Sequence, residues 1–329
     1  MKEAKVLLYY LYREIVDVEG EKDWQLRTCE ELDILGRVRI AREGINGTVG
    51  GAVDSIVEYE KRMTKRELFR GIDFKSSMAE SVPFSNLFIQ VRPEVVTLGV
   101  DRSKVDLSAA GVHLTPEEFH EEILQADDHT VVIDIRNEYE SKIGKFEGAV
   151  GAPLRQFSDL PRVATSLVDQ LQLKDKKVLM YCTGGVRCEL GSALLRSYGV
   201  DQVFQLGGGI HNYLETFRSG GLFLGKNFVF DERIAVGPPD KEPQHQLAFG
   251  RCDRCEESFD DYSAGRRCRY CRVLVLVCDN CAEASCEFEC TNCPALVSKP
   301  TKTRRKRKEK WSAASADVPE NSAERVISF

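Results

Sequence analysis

Two groups of residues in this chain of 329 have the types and spacing for chemistry. The first is Cys182-Thr183-Gly184-Gly185-Val186-Arg187, followed directly by Cys188 and Glu189. Gly184 and Gly185 accept the backbone conformations that let successive N–H groups, from Thr183 to Arg187, turn toward one point above the sulfur. Such a cradle holds an anion, and the helical pattern beginning at Arg187 aims the positive end of its dipole at it. The expected result is a lowered thiol pKa and a thiolate near neutral pH. The rival reading, Cys182 as a small buried hydrophobe, explains neither the paired glycines nor Arg187 at the mouth of the loop. The second group is four Cys-x-x-Cys pairs: Cys252 with Cys255, Cys268 with Cys271, Cys278 with Cys281, and Cys290 with Cys293. Two sulfurs of one tight turn can grip one zinc, so the four pairs supply two tetrahedral sites. Pairing could be sequential, first with second, or crossed, first with third, and Cys286 is a ninth candidate thiol. Four protein ligands per ion leave no open position, so these metals are expected to be structural and to supply most of the segment's folding free energy.

The elements around Cys182 must form a parallel sheet. Val178–Tyr181 is too short and too apolar for a surface helix, which predicts a buried strand with Cys182 at its carboxyl end. The helix after it runs from Arg187 to Tyr198 and stops at Gly199. Thr130–Asp134 predicts a second buried strand leading into Asp134-Ile135-Arg136-Asn137. Strand carboxyl ends share one face of an open sheet, so Asp134 and Arg136 belong near Cys182. They could support its chemistry directly, but an internal ion pair tying loops together is the favoured reading. Thr115 and Pro116 open a helix; Phe146–Val150 is an edge segment; Phe157–Leu171 is helical; Val203–Leu206 is a strand; Gly207-Gly208-Gly209 leads into a helix at Ile210–Phe217. Cys188 reads as a packed core residue ahead of a resolving thiol, and Glu189 as a helix N-terminal carboxylate.

Before that lies a different pattern. Strands at Lys5–Tyr12, Arg37–Ala41, Gly47–Gly50 and Phe88–Val91 and helices at Asp23–Leu35 and Val53–Lys65 give the order β-α-β-β-α-β, which is ferredoxin-like. Asn46-Gly47 signals a tight turn in the middle hairpin, and Arg42 with Glu43 could form a solvated ion pair. Glu94–Gly99 predicts a short strand or bridge in a linker. The chain is therefore expected to combine α+β and α/β parts: residues 1–100 ferredoxin-like, 101–237 parallel α/β, 238–297 a small Cys-rich zinc module, and 298–329 a disordered basic tail.

Composition narrows the class. The 42% hydrophobic content is that of a globular protein, and no apolar run approaches the length needed to cross a bilayer. Nine of the 12 cysteines fall between Cys252 and Cys293. With no signal-peptide pattern, that points to zinc in a reducing compartment, hence a cytoplasmic protein. The net charge of −6 hides an asymmetry, because Lys299 to Lys310 carries +7 and the remainder −13. Nucleic-acid contact must therefore come from local patches. Thr303–Lys308 reads as a nuclear import signal, an RNA-contacting arm or a solvated tail.

The loop Cys182 to Arg187 resembles that of the rhodanese fold, where a six-residue cradle carries a persulfide. Further segments widen the resemblance: Arg42-Glu43-Gly44-Ile45-Asn46-Gly47-Thr48, Val95-Val96-Thr97-Leu98-Gly99, Asp134-Ile135-Arg136-Asn137-Glu138-Tyr139-Glu140, Gln205-Leu206-Gly207-Gly208-Gly209-Ile210 and Phe228-Val229-Phe230-Asp231-Glu232-Arg233. Together, from about residue 5 to 237, they resemble the rhodanese-containing tRNA uridine hydroxylases. Where bacterial members carry Thr-Arg-x-Phe, this chain has Leu154-Arg155-Gln156-Phe157. The resemblance implies an oxidoreductase that makes 5-hydroxyuridine at the wobble position of tRNA with molecular oxygen as co-substrate and no evident organic cofactor. On this reading Cys182 is the reactive thiolate, and Arg42, Arg155 and the basic tail are candidate RNA contacts. Two other readings stand beside it: sulfur transfer through a Cys182 persulfide, and a non-enzymatic zinc-containing adaptor. The oligomeric state is not legible.

Overall fold

The computed structural model describes residues 3–101, 104–240, 248–290 and 293. The N-terminal part comprises β1 (Ala4–Tyr12), α1 (Val18–Glu31), β2 (Leu35–Ala41), β3 (Gly44–Ala52), α2 (Val53–Thr64), β4 (Asp73–Ala79) and β5 (Leu87–Val91). The sheet order is β4-β1-β3-β2-β5. Each neighbouring pair among β4, β1, β3 and β2 is antiparallel, as the ferredoxin-like reading requires, while β5 joins β2 in parallel at the far edge. The strand that closes the motif is thus β4, and the one expected to do so is a fifth. β4 escaped notice because it is an edge strand whose residues, Asp-Phe-Lys-Ser-Ser-Met-Ala, form no apolar run.

A second correction concerns the hairpin. Ala41 pairs with Gly44, so the turn is Arg42-Glu43, and Asn46-Gly47 lies inside β3 between two partners. Gly47 serves packing there: a Cβ would fall 2.3 Å from Cζ of Tyr9, whose ring covers it. Close approach of backbone and ring overrides the local turn signal. Residues alternate across β1. Leu7 and Tyr9 enter a core with Ile56, Tyr59 and Met63, whereas Leu8, Tyr10 and Tyr12 face the next domain.

That domain contains β6 (Val112–Leu114), α3 (Pro116–Leu124), β7 (Thr130–Asp134), α4 (Glu138–Ser141), β8 (Gly144–Phe146), β9 (Val150–Gly151), α5 (Leu160–Gln170), β10 (Lys177–Tyr181), α6 (Val186–Ser197), β11 (Val203–Leu206), α7 (Gly209–Thr216) and β12 (Phe223–Gly225). Its main sheet runs β6-β11-β10-β7-β9, parallel throughout. Alternate residues go to opposite cores: Ile133, Val178 and Met180 pack with Leu160 and Leu194, while Val132, Leu179 and Tyr181 pack with Phe119, Phe146 and Tyr213. Both faces are covered, which is why the strands are apolar throughout. Thr115 and Glu118 form a capping box at the start of α3.

The segment expected to form a short strand at Glu94–Gly99 is not one. Val95 and Leu98 are buried, and their N–H groups donate to carboxylates instead of a ladder: Val95 to Glu43 at 2.8 Å and Leu98 to Glu94 at 3.2 Å. Glu43 thereby ties the β2–β3 turn to the segment that leaves the N-terminal domain, a role beyond a solvated pair with Arg42.

The Cys-rich segment docks on the second domain. Ile143 and Phe228 pack with Tyr262 and Leu276 in a shared cluster, and burying side chains of this size stabilises by roughly 1.5–3 kcal/mol each. Polar ties surround it, including Lys142 to Asp253 at 2.6 Å, Lys226 to Asp260 at 2.9 Å, and the Tyr262 hydroxyl donating to the Tyr139 carbonyl at 2.9 Å. The basic run from Lys299 to Lys310 lies outside the described residues.

Candidate active site and thiol clusters

Cys182 follows β10 directly and is fully buried. Gly185, at φ +99°, turns its N–H back to donate to Sγ at 3.1 Å, and α6 begins at the next residue. Burial alone would push the thiol up. A hydrogen bond from Cys188, the charge of Arg187 and the N–H groups of Arg187 and Gly185 more than reverse this, and the pKa falls to about 5. Cys188, one turn into α6 and equally buried, moves the other way: burial and the Cys182 thiolate push it up, so it stays protonated and donates. It belongs to the apolar core as well, so packing and the bond to Cys182 are both real.

Arg187 does not project freely into the cradle. Its guanidinium makes a two-pronged contact with the buried Glu140, at 2.6 and 2.8 Å, and donates to Thr183 Oγ1 at 3.1 Å. Thr183 Oγ1 also lies 3.2 Å from Glu140. Glu140 comes from α4, and its carboxylate also accepts from the backbone N–H of Asn137 at the start of that helix at 3.1 Å. Asp134 and Arg136 form a separate, fully buried pair: the Asp134 carboxylate accepts from the Arg136 side chain at 2.6 Å, from Ser141 at 2.7 Å and from the Tyr181 hydroxyl at 3.0 Å. Arg136 also donates to the Gly144 carbonyl at 2.6 Å. This is the loop-tying arrangement favoured from sequence.

The largest surprise is what covers the loop. The outer face of β1 rests on it: a Cβ at Gly184 would meet Leu8 at 2.7 Å, and one at Gly185 would meet the Tyr10 hydroxyl at 2.8 Å. Both glycines are thus needed for this close approach, and Gly185 for its positive φ too. Tyr12 donates to the Val186 carbonyl at 3.2 Å. Glu189 accepts from Tyr10 at 2.9 Å, Gln205 at 3.1 Å and His113 at 2.8 Å, so it is a domain fastener and not a helix N-terminal carboxylate alone. Burial, with Lys75 and Arg233 nearby, lowers the pKa of the His211 imidazole to about 4, and the backbone N–H of His211 donates to the Thr183 carbonyl at 3.1 Å. Sequence reasoning missed Leu8, Tyr10, Tyr12, Glu140 and His211. The run Tyr9-Tyr10-Leu11-Tyr12 held a signal, since a strand that is large and apolar on both faces must be covered on both.

The Cys-x-x-Cys pairs assemble in the crossed manner. Cys252, Cys255, Cys278 and Cys281 form one set, and Cys268, Cys271, Cys290 and Cys293 the other, with the sulfurs of each set within 4.8 Å of one another. Either set could hold a metal ion. Cys286 is exposed and belongs to neither. Arg42 is exposed at its turn, and Arg155 pairs with Asp159 at 3.4 Å.

Family models match along the chain: a UPF0176 acylphosphatase like domain over residues 4–95, a rhodanese-like domain over 115–216 and a rhodanase C-terminal domain over 224–294. A tRNA uridine(34) hydroxylase of Corynebacterium jeikeium is 36% identical over 289 residues, covering 86% of this chain and 91% of that protein. The chain belongs to the tRNA uridine(34) hydroxylase family. A further family member, from Listeria welshimeri, is 36% identical over 332 residues and matches 97% of this chain and 99% of its own length. Rhodanese-like domain-containing protein 6 of Arabidopsis thaliana is 41% identical over 312 residues; the match takes in 88% of this chain but 52% of that protein, so this chain spans about half the length of that relative. Within this family framework the rhodanese-like domain supplies the Cys182 loop, and the acylphosphatase-like domain is its cover. Among the described residues no helix is long and apolar enough to cross a membrane.

Proposed function

We propose that this protein hydroxylates the wobble uridine of tRNA at C5 and that Cys182 is its reactive thiolate. The observation that carries this reading is a buried thiol held at a pKa of about 5 in a chain that aligns with named hydroxylases over nearly their whole length. A thiolate shielded from water and steadied by N–H donors is a ready nucleophile toward an electron-poor ring. Thr183, Gly184, Gly185 and Val186 shape the loop, and Arg187 orders it through Glu140. Molecular oxygen is the co-substrate proposed from the family resemblance: one atom enters at C5, and the other leaves as water with two electrons and two protons from an external reductant such as a thiol. Arg42 and Arg155 are proposed RNA contacts, and residues 1–100 serve as a second surface for the tRNA.

Two zinc ions are proposed for the crossed thiol sets. Four thiols per set, all within reach of one centre, suit tetrahedral zinc and leave no open position, so the metal's part is to hold residues 252–293 folded. The proposed division of the chain is 1–100, 101–237, 238–297 and 298–329, and the proposed compartment is the cytoplasm.

One feature favours a second reading. The Gly185 N–H aimed at Sγ would equally steady a persulfide, so sulfur transfer remains the runner-up. Purified protein incubated in air with a thiol reductant and tRNA lacking the modification separates the two: 5-hydroxyuridine should accumulate with the parent protein and not with Cys182→Ser. Brisk thiosulfate turnover with an unchanged nucleoside profile would reverse the order of the two readings.

A further inference from the structure

A pocket of about 440 Å³ lies where three parts of the molecule meet. The N-terminal sheet contributes Arg37, the rhodanese-like domain Arg155, the segment after it Phe230, and the Cys-rich module Arg267 and Arg272. Arg37, Arg267 and Arg272 are exposed. Among the described residues their side chains bond only to carbonyl oxygens, Arg37 to Phe230 at 3.4 Å and Arg267 to Arg272 at 3.0 Å. The acid in the wall, Asp231, is already taken by Arg233 at 2.6 Å. Phe230 is 44% exposed; among the described residues the two rings that are more exposed, Phe88 and Tyr270, lie outside the pocket wall. Phe228 supports it edge-on at 5.3 Å between centroids, and the Arg187 guanidinium lies 5.8 Å from its centre.

The geometry points to this pocket as the seat of a single-stranded RNA nucleotide next to the reacting one, its base stacked on Phe230 and its phosphates met by Arg37, Arg155, Arg267 and Arg272. An exposed ring flanked by guanidinium groups is the equipment by which proteins hold unstacked bases and backbone together. The position fits, because the guanidinium of Arg187 lies 5.8 Å from the Phe230 ring behind the pocket wall, and Arg187 bonds to Thr183 of the Cys182 loop. The inference rests on the tRNA reading and gives the Cys-rich module a share in the substrate site. A plainer role is available to Arg267 and Arg272: a zinc ion with four thiolates carries a net negative charge, and Cys271 also lines the pocket.

The test measures binding of a fluorescent anticodon stem-loop RNA to full-length protein at low salt. Phe230→Ala should weaken it about tenfold, in line with loss of one stacked base. The pair Arg267→Glu with Arg272→Glu should weaken it more and flatten the dependence on salt by roughly 0.7 per lost phosphate contact. Zinc content by elemental analysis and the alkylation rate of Cys182 should match the parent in both variants. Arg70→Glu, an exposed charge reversal outside the pocket wall, controls for general charge. Unchanged affinity in the pocket variants overturns the inference. So does an equal loss with Arg70→Glu, or a loss seen only in protein that has shed zinc. RNA binding that depends on the pocket without any 5-hydroxyuridine product would leave the pocket standing and remove the hydroxylase reading.

Discussion

The molecule uses cysteine in two opposed ways. In the rhodanese-like loop a single thiol is made acidic by donors arranged around it, Gly185 N–H and Cys188 among them, and no metal is needed to keep its proton off. In the Cys-rich module eight thiols stand in two sets of four, where a bound cation would be what keeps them deprotonated. The difference teaches that cysteine pairing, not cysteine count, separates reactivity from scaffolding: one partner of high pKa leaves a sulfur free to react, whereas three partners close a shell around an ion. Cys29 is a third case. It is as buried as Cys182, but burial with Glu30 nearby pushes its pKa up to about 12, so it is neither nucleophile nor ligand.

The comparison breaks most visibly at Cys182 itself. Cys182→Ser should lower hydroxylation by roughly 10³ or more, with the melting temperature close to the parent's, because oxygen fills the space of sulfur without its thiolate. The counterpart in the module is metal removal. A strong chelator should release about two zinc ions per chain and unfold residues 252–293, while the alkylation rate of Cys182 stays near that of the untreated protein; circular dichroism and elemental analysis would follow both.

A smaller effect distinguishes the two buried lone thiols by pH. A depressed pKa means that the thiolate of Cys182 is lost only as pH falls through about 5, so its iodoacetamide labelling should rise through that value and be level by neutrality. Cys29, with its pKa near 12, should stay slow throughout that range. Peptide mass spectrometry of a labelling time course reads both sites at once. Smallest of all is the cover. Tyr10→Phe removes one hydrogen bond to Glu189 and should destabilise by about 1 kcal/mol, with Cys182 labelled faster because the lid is held less firmly.

Much of this was legible in the chain, for reasons that differ by region. The buried strands β7 and β10 announce themselves as apolar runs, and Gly185 announces the turn that follows, because local sterics leave few alternatives. The ion-paired role of Asp134 and Arg136 was legible too, because polar groups buried at the base of a loop must find partners. What escaped was non-local. Glu140 meets Arg187 across 47 positions and Tyr10 meets Glu189 across 179, and no local pattern encodes such distances. β4 was missed because edge strands avoid apolar runs, and Asn46-Gly47 misled because the ring of Tyr9, not a turn, requires that glycine. The crossed pairing of the thiols had to wait for the fold, since both arrangements satisfy the same spacing.

The central claim is that the Cys182 thiolate hydroxylates the wobble uridine. Its most direct test is mass spectrometry of nucleosides from tRNA of cells that lack the protein and are then supplied with either the parent or Cys182→Ser. The account predicts that 5-hydroxyuridine and its derivatives fall on deletion, return with the parent and stay low with the variant. Full restoration by Cys182→Ser, or a nucleoside profile that deletion leaves untouched, would contradict it.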